Sequence, residues 1–193
     1  MGVGSGGLLL KRDGSSAPIS FSFNTQMRGL SDDRRVSGSR SMGPFRWSEA
    51  SGFENLEIPL GAFDADAWGI SSNGANVAGQ VDFGPVKRAA VWSVAGLAQL
   101  LPDSTLQTNK ALAVAVNSAG WVVGSRYGTL PSHPQARDYA TLWADGVAYE
   151  LESLIQAGPS AVMVSATAIN DRGQIVGQGS VNGSSCLIRL DPL

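Results

Sequence analysis

The sequence predicts an all-β protein assembled from repeated units. Two observations carry this: a turn-and-strand motif recurs along the chain, and helix signals are almost missing. The recurring motif reads Gly69-Ile70-Ser71-Ser72-Asn73-Gly74 then Val77-Ala78-Gly79-Gln80. It returns as Ala115-Val116-Asn117-Ser118-Ala119-Gly120 then Val122-Val123-Gly124-Ser125, and as Ala168-Ile169-Asn170-Asp171-Arg172-Gly173 then Ile175-Val176-Gly177-Gln178. A weaker copy precedes them, Gly29-Leu30-Ser31-Asp32-Asp33 then Val36-Ser37-Gly38-Ser39. The anchors Leu30, Ile70, Val116 and Ile169 stand 40, 46 and 53 residues apart, a period in the range of stacked supersecondary repeats.

A second anchor falls between the first set, at Phe45-Arg46-Trp47, Ala90-Val91-Trp92 and Thr141-Leu142-Trp143, followed by Gly52, Gly96 and Gly146. At the two ends, Leu8-Leu9-Leu10 with Asp13-Gly14 opens the series and Cys186-Leu187-Ile188 closes it. The units are about 8–42, 43–88, 89–139 and 140–185, with a closing strand at 186–190. Within a unit, Ala89 to Val94 and Leu97 to Leu101 are short apolar runs that end at turn signals. Ala111 to Val116 alternates small and larger side chains, and Trp121 to Ser125 follows a tight turn; each pattern is that of a strand. Asn73-Gly74 is the strongest hairpin signal, because both residues tolerate the positive φ of a type I′ turn. Only Tyr149 to Ala157 has room for two helical turns before Gly158-Pro159.

Four strands per unit of about 45 residues is the pattern of a propeller blade. The 193 residues form one domain and suffice for a small, four-bladed β-propeller, with the closing strand completing the first blade. The alternatives are an irregular β-sandwich and part of a larger propeller, the latter completed by a homodimer. The repeats resemble the HAF-repeat family of bacterial, often extracellular, proteins. The resemblance rests on Ala166 to Gly177 and on Ala140-Thr141-Leu142-Trp143-Ala144-Asp145-Gly146, and departs from the family in lacking the His of the His-Ala-Phe tripeptide. It implies the architecture and a place outside the cell or at its surface, and leaves the activity open. No signal peptide is visible, since Leu8-Leu9-Leu10 is too short for a hydrophobic centre.

Composition narrows the function classes. The formal charge of −2, from 14 basic and 16 acidic residues, makes no electrostatic case for nucleic acid. No apolar run approaches the roughly 18 residues of a membrane helix, so no membrane insertion is expected. One Cys excludes a disulfide within the chain. Neither Rossmann and P-loop glycine patterns nor zinc-type Cys/His spacing occurs, so no cofactor and no metal are expected. Asp32-Asp33 and Asp64-Ala65-Asp66 are the close carboxylate pairs, and a local turn role accounts for Asp32. Asn117 and Asn170 read as Asx-turn residues, and Cys186 as a buried thiol in an apolar strand.

The leading reading is a non-enzymatic scaffold that binds a carbohydrate or protein partner, as a monomer or homodimer. Trp47, Trp92 and Trp143 recur once per unit and read as packing. Trp68 and Trp121 stand outside that register and are the better candidates for a solvent-facing platform, joined by Tyr127, Arg137 and Tyr139 from the third unit. That unit carries an insertion: Gly79 and Trp92 are 13 apart, while Gly124 and Trp143 are 19 apart. The insertion holds His133, the only imidazole, so a Ser- or Cys-dependent hydrolase would have to use it. The rival reading is therefore a small ester or glycoside hydrolase with His133, Asp138 and Ser132 as its catalytic group.

Overall fold

In the computed structural model the described residues are 6–10, 14–20, 24–103, 107–130, 133–155 and 161–192. They form strands almost throughout. The first blade contains β3 (Gln26–Leu30), β4 (Val36–Arg40), β5 (Gly43–Ser48) and β6 (Gly52–Asn55) in sequential antiparallel order. The second contains β7 (Asp64–Ile70), β8 (Val77–Asp82), β9 (Lys87–Trp92) and β10 (Ala98–Leu100). The third contains β11 (Gln107–Val116), β12 (Val122–Leu130), β13 (His133–Ala144) and β14 (Val147–Glu150). A parallel bridge between Lys110 and Lys87 joins the second and third blades at one point. The last blade has three strands among the described residues, β15 (Ala161–Ile169), β16 (Ile175–Val181) and β17 (Ser184–Leu190). A separate hairpin of β1 (Gly6–Leu10) and β2 (Ser16–Ser20) precedes them, and its Ile19 is buried with Val36, Phe45 and Trp47 of the first blade.

Each innermost strand packs on the blade before it: β7 on the first, β11 on the second and β15 on the third. Within each blade a repeated glycine lets the second strand lie close against the inner one. The innermost strands carry bulges, with register shifts at Met27/Gly29, Ala67/Gly69, Ala113/Ala115 and Ala166/Ala168. A Cβ on Gly38, Gly79, Gly124 or Gly177 would lie 1.9–2.0 Å from the carbonyl oxygen of Gln26, Asp66, Leu112 or Ser165 respectively. Only glycine permits that backbone approach.

Small side chains fill the inter-blade layers. Ala67, Ala78, Ala90 and Ala113 are fully buried, so successive sheets come close while Trp92 and Trp143 supply the bulk. The repeated Trp residues are therefore packing groups, as their recurrence predicts. The Trp92 indole N–H donates to the Glu57 carbonyl at 2.7 Å and that of Trp143 to the Pro102 carbonyl at 2.9 Å. Each indole thus pins the linker that enters its own blade. The linkers also bury one Leu apiece, at Leu56, Leu101 and Leu151.

Several expectations change. The sheets are cut in a different phase from the sequence units, with blades spanning 26–55, 64–100, 107–150 and 161–190. A repeat has no intrinsic start; strand register decides which hairpins share a sheet. The closing segment 186–190 lies within β17 and pairs with β16 as the third strand of its own blade, so it does not complete the first. The Asn73-Gly74 turn is not a two-residue hairpin. The loop runs from 71 to 76 between β7 and β8, only Gly74 has positive φ there, at 67°, and the Ser71 Oγ accepts from the Asn76 N–H at 3.0 Å. The helix contracts to one turn, α1 (Leu151–Leu154), because Tyr149 and Glu150 remain in β14 opposite Leu142 and Thr141.

Candidate functional site

The His133 group falls largely outside what the structure describes. Ser132 lies outside the described residues, and His133 is placed through its backbone, paired with Leu130. Asp138 is exposed and pairs with Tyr127.

The proposed ligand-binding residues divide among three places. Trp68 is half-buried in the second blade, and the Arg28 guanidinium lies 4.1 Å from its ring centroid, held in turn 3.6 Å from Asp66. That cation covers one face of the ring. Arg137 and Tyr139 share one face of β13: the guanidinium stacks 4.5 Å from the Tyr139 ring and pairs with Glu152 at 2.7 Å. Burial works against the Arg137 charge, but the Tyr139 hydroxyl and the Glu152 carboxylate outweigh it and hold the proton more tightly than usual. Tyr139 is buried and Tyr127 is 40% exposed on the opposite face. These three residues do not converge on one opening.

Trp121 does border one. Together with Leu142 of β13, Leu151, Leu154 and Ile155 of the linker, Ile175 and Leu190 of the last blade, and Pro192 just beyond it, it lines a groove of about 460 Å³. Its ring packs on the backbone at Gly173, where a Cβ would stand 3.1 Å from Cζ3. Arg189 and Asp191, ion-paired at 3.0 Å, edge the groove, and the Gln174 amide donates to Asp191 at 2.6 Å. These donors hold the Asp191 carboxyl below its ordinary range, with Gln174 the larger cause and Arg189 second.

The register explains why a groove opens here. Val36 pairs with Trp47, Val77 with Trp92 and Val122 with Trp143, while in the last blade Ile175 pairs with Leu190. Leu190 therefore occupies the indole position. In the third blade Leu101, Val122 and Trp143 pack together in one cluster; their equivalents Leu151, Ile175 and Leu190 also pack together, and with the smaller Leu190 in place of an indole they line the groove. Aligning the final copy on Cys186 to Ile188 misses this by two residues. The signal available in the sequence was the missing fourth Trp.

At one end of the blades the β3–β4, β7–β8, β11–β12 and β15–β16 loops gather. Asp171 accepts from the Ser118 N–H at 2.7 Å and from its hydroxyl at 2.9 Å, while the Asp32 N–H donates to the Ser72 carbonyl at 2.9 Å. The Ser118 N–H, then its hydroxyl, and then the Ser72 hydroxyl hold the Asp171 carboxyl below the usual carboxylate range. Asp33 is engaged by the Ser31 hydroxyl and by Arg35 at 3.0 Å. Asn117 and Asn170 cap their own turns, each accepting two backbone N–H groups. Among the described residues, no three His, Cys, Asp or Glu side chains gather as a metal site. No helix there is long and apolar enough to cross a membrane.

No family model matches the chain, and no curated protein does either. Solved structures do. A TolB structure from Agrobacterium tumefaciens superposes with a TM-score of 0.59 at 15% identity, over 95% of this chain and 64% of that one. TolB from Acinetobacter baumannii gives 0.52 at 13%, over 95% and 45%. The chain thus spans less than two thirds of either structure. Likeness at this identity speaks for the fold alone, and that fold is an all-β, propeller-like array of blades.

Proposed function

We propose that the chain is a non-enzymatic binding module whose site is the groove between the third and last blades, and that its ligand is a protein partner. The groove carries this reading: an aromatic ring, an aliphatic lining and a charged pair at the edge are the makings of a site that buries an apolar side chain and orients it with a few polar contacts. A carbohydrate is the second reading, favoured by Trp121 standing beside Arg189 and Asp191, a ring with charged hydrogen-bonding neighbours. The resemblance to HAF-repeat proteins supports a setting outside the cell or at its surface, which fractionation of the producing cells would check; recovery in the cytosol alone would remove that part.

The test is a peptide and glycan panel on the purified protein, with Trp121→Ala and His133→Ala beside the parent. Binding that falls at least about tenfold in Trp121→Ala and persists in His133→Ala is expected. Ligands held equally by the Trp121→Ala protein would reject the groove, and ester or glycoside turnover lost in His133→Ala would restore the hydrolase.

A further inference from the structure

We infer that Asn73 is a site of self-modification: its side chain cyclises onto the Gly74 nitrogen and is converted to aspartate and isoaspartate, and the product loosens the seam between the first two blades. The site belongs to those two blades, so it stands or falls independently of the groove between the third and last.

The local chemistry leads there. Asn-Gly occurs twice in the chain, at Asn73-Gly74 and Asn182-Gly183, and glycine, with no Cβ, leaves the attacking nitrogen uncrowded. Asn73 is exposed. Its Oδ1 accepts from the Ser71 hydroxyl at 2.7 Å and from the Ala75 N–H at 3.1 Å, two donors on the oxygen that takes up negative charge when the carboxamide carbon is attacked. Asn117 and Asn170 each receive two N–H groups in a similar way. Ser118 and Asp171 follow them, however, and a side chain on the attacking residue hinders ring closure. The paired donors and a following glycine coincide at Asn73.

The reaction exchanges ammonia for water. The Gly74 nitrogen, having given its proton to solvent base, bonds to Asn73 Cγ. The Cγ–Nδ2 bond then breaks and Nδ2 leaves as ammonia, taking a proton from solvent, so that a cyclic succinimide remains. Water opens the ring. Cleavage of the new N–Cγ bond gives aspartate, and cleavage of the bond between that nitrogen and the Asn73 carbonyl carbon gives isoaspartate, whose main chain is longer by one carbon. Nothing is oxidised or reduced.

The fold slows this reaction without abolishing it. The Gly74 N–H donates to the Ser71 carbonyl at 2.8 Å, and the Asp33 carboxylate covers Gly74, since a Cβ there would stand 2.5–2.8 Å from its atoms. Both oppose loss of the proton from that nitrogen, so the turn must open first. Asn182 has no such brake: with Gly183 it makes the two-residue turn between β16 and β17, with φ of 52° and 79°. The consequences differ too. Nothing stands within 4 Å of a Cβ on Gly183, whereas at Asn73 the first blade holds the second. There the Asp32 N–H donates to the Ser72 carbonyl at 2.9 Å and the Arg46 guanidinium to the Gly74 carbonyl at 3.4 Å. A carboxylate at position 73 adds a like charge beside Asp33, and a lengthened main chain displaces Gly74 from both neighbours.

The full chain, folded and in urea, is held at mildly alkaline pH and peptide-mapped over time by mass spectrometry that separates aspartate from isoaspartate. In urea Asn73 and Asn182 should react at similar rates. In the folded chain Asn73 should slow about tenfold or more, fall behind Asn182, and still outrun Asn117 and Asn170. An Asn182→Asp variant, whose new residue tolerates the left-handed turn position, removes the faster site and serves as the chain converted there alone. Within that variant the molecules converted at Asn73 separate by their added charge. Their amides at 31–35 and 71–76 should exchange about tenfold faster than those of the unconverted variant, which should itself match the parent. Asn73 as inert in the folded chain as Asn117 and Asn170 would overturn the inference. So would conversion at Asn73 that leaves exchange at 31–35 and 71–76 unchanged.

Discussion

The third and last blades begin alike and finish differently. Both have a bulged inner strand, a repeated glycine on the second strand, and an Asn-anchored turn that joins them. Beyond the second strand they diverge. The third blade adds a fourth strand, an indole pinned to the incoming linker, and Arg126, a fully buried guanidinium. Arg126 meets Glu150 at 2.6 Å, the Thr141 hydroxyl at 3.1 Å and Asp103 at 3.3 Å, so it ties the second strand to the third, the fourth and the linker. Among the described residues the last blade has Leu190 for the indole, three strands, and an exposed Arg189–Asp191 pair. The inner half of a blade is thus the part that stacks on the blade before it, and the outer half is where the third and last blades differ.

The sharpest way to break this contrast is charge deletion. Arg126→Ala leaves two partly buried carboxylates facing an empty space and should cost about 3 kcal/mol, whereas Arg189→Ala removes a solvent-screened pair and should cost well under 1 kcal/mol. Urea unfolding of both variants decides it; comparable losses would mean that the last blade is held as rigidly as the third. Glycine substitution tests the shared half. Gly124→Ala and Gly177→Ala should each lose about 2–3 kcal/mol from the forced contact with a carbonyl oxygen, and a tolerated Gly177→Ala would mean that the first two strands of the last blade do not approach as those of the third do.

A smaller effect separates the turns. Gly120 and Gly173 have φ of 85° and 76°, so alanine at either costs about 1 kcal/mol of backbone strain. At Gly173 the new methyl also presses on Trp121, whereas nothing stands within 4 Å of it at Gly120. The excess loss in Gly173→Ala, read by thermal unfolding together with a change in ligand affinity, measures how firmly Trp121 is seated.

The smallest effect is in pH. The Asp171 carboxyl lies below its ordinary value through the Ser118 N–H, the Ser118 hydroxyl and the Ser72 hydroxyl. The stability this contributes is present above the unfolded pKa, near 4, and is lost as pH falls through the folded value. Asp171→Asn should therefore lower the melting temperature slightly at pH 7 and leave it unchanged at pH 2. An equal change at both pH values would assign the effect to packing.

Much of this was readable along the chain. Periodicity alone yields the blade-sized repeat, the Gly at the second strand and the packing role of the repeated Trp, because a bulge, a close backbone approach and a buried ring each demand one residue type at one spacing. The Asx turns were readable for the same reason: Asn117 and Asn170 satisfy N–H groups within four residues of themselves. The candidate site was half legible. Trp121 stands out because it falls outside the repeat, but its partners come from the third blade, the linker and the last blade, and no local pattern connects them.

What the sequence by itself determined is the all-β repeat and its local devices, since strand alternation, turn chemistry and glycine geometry act over a few residues. Tertiary structure alone decided where the sheets break, that β17 pairs within its own blade, and that Leu190 rather than Ile188 takes the indole position. Those outcomes depend on strand register, and a shift of one residue would reverse every side chain between core and solvent.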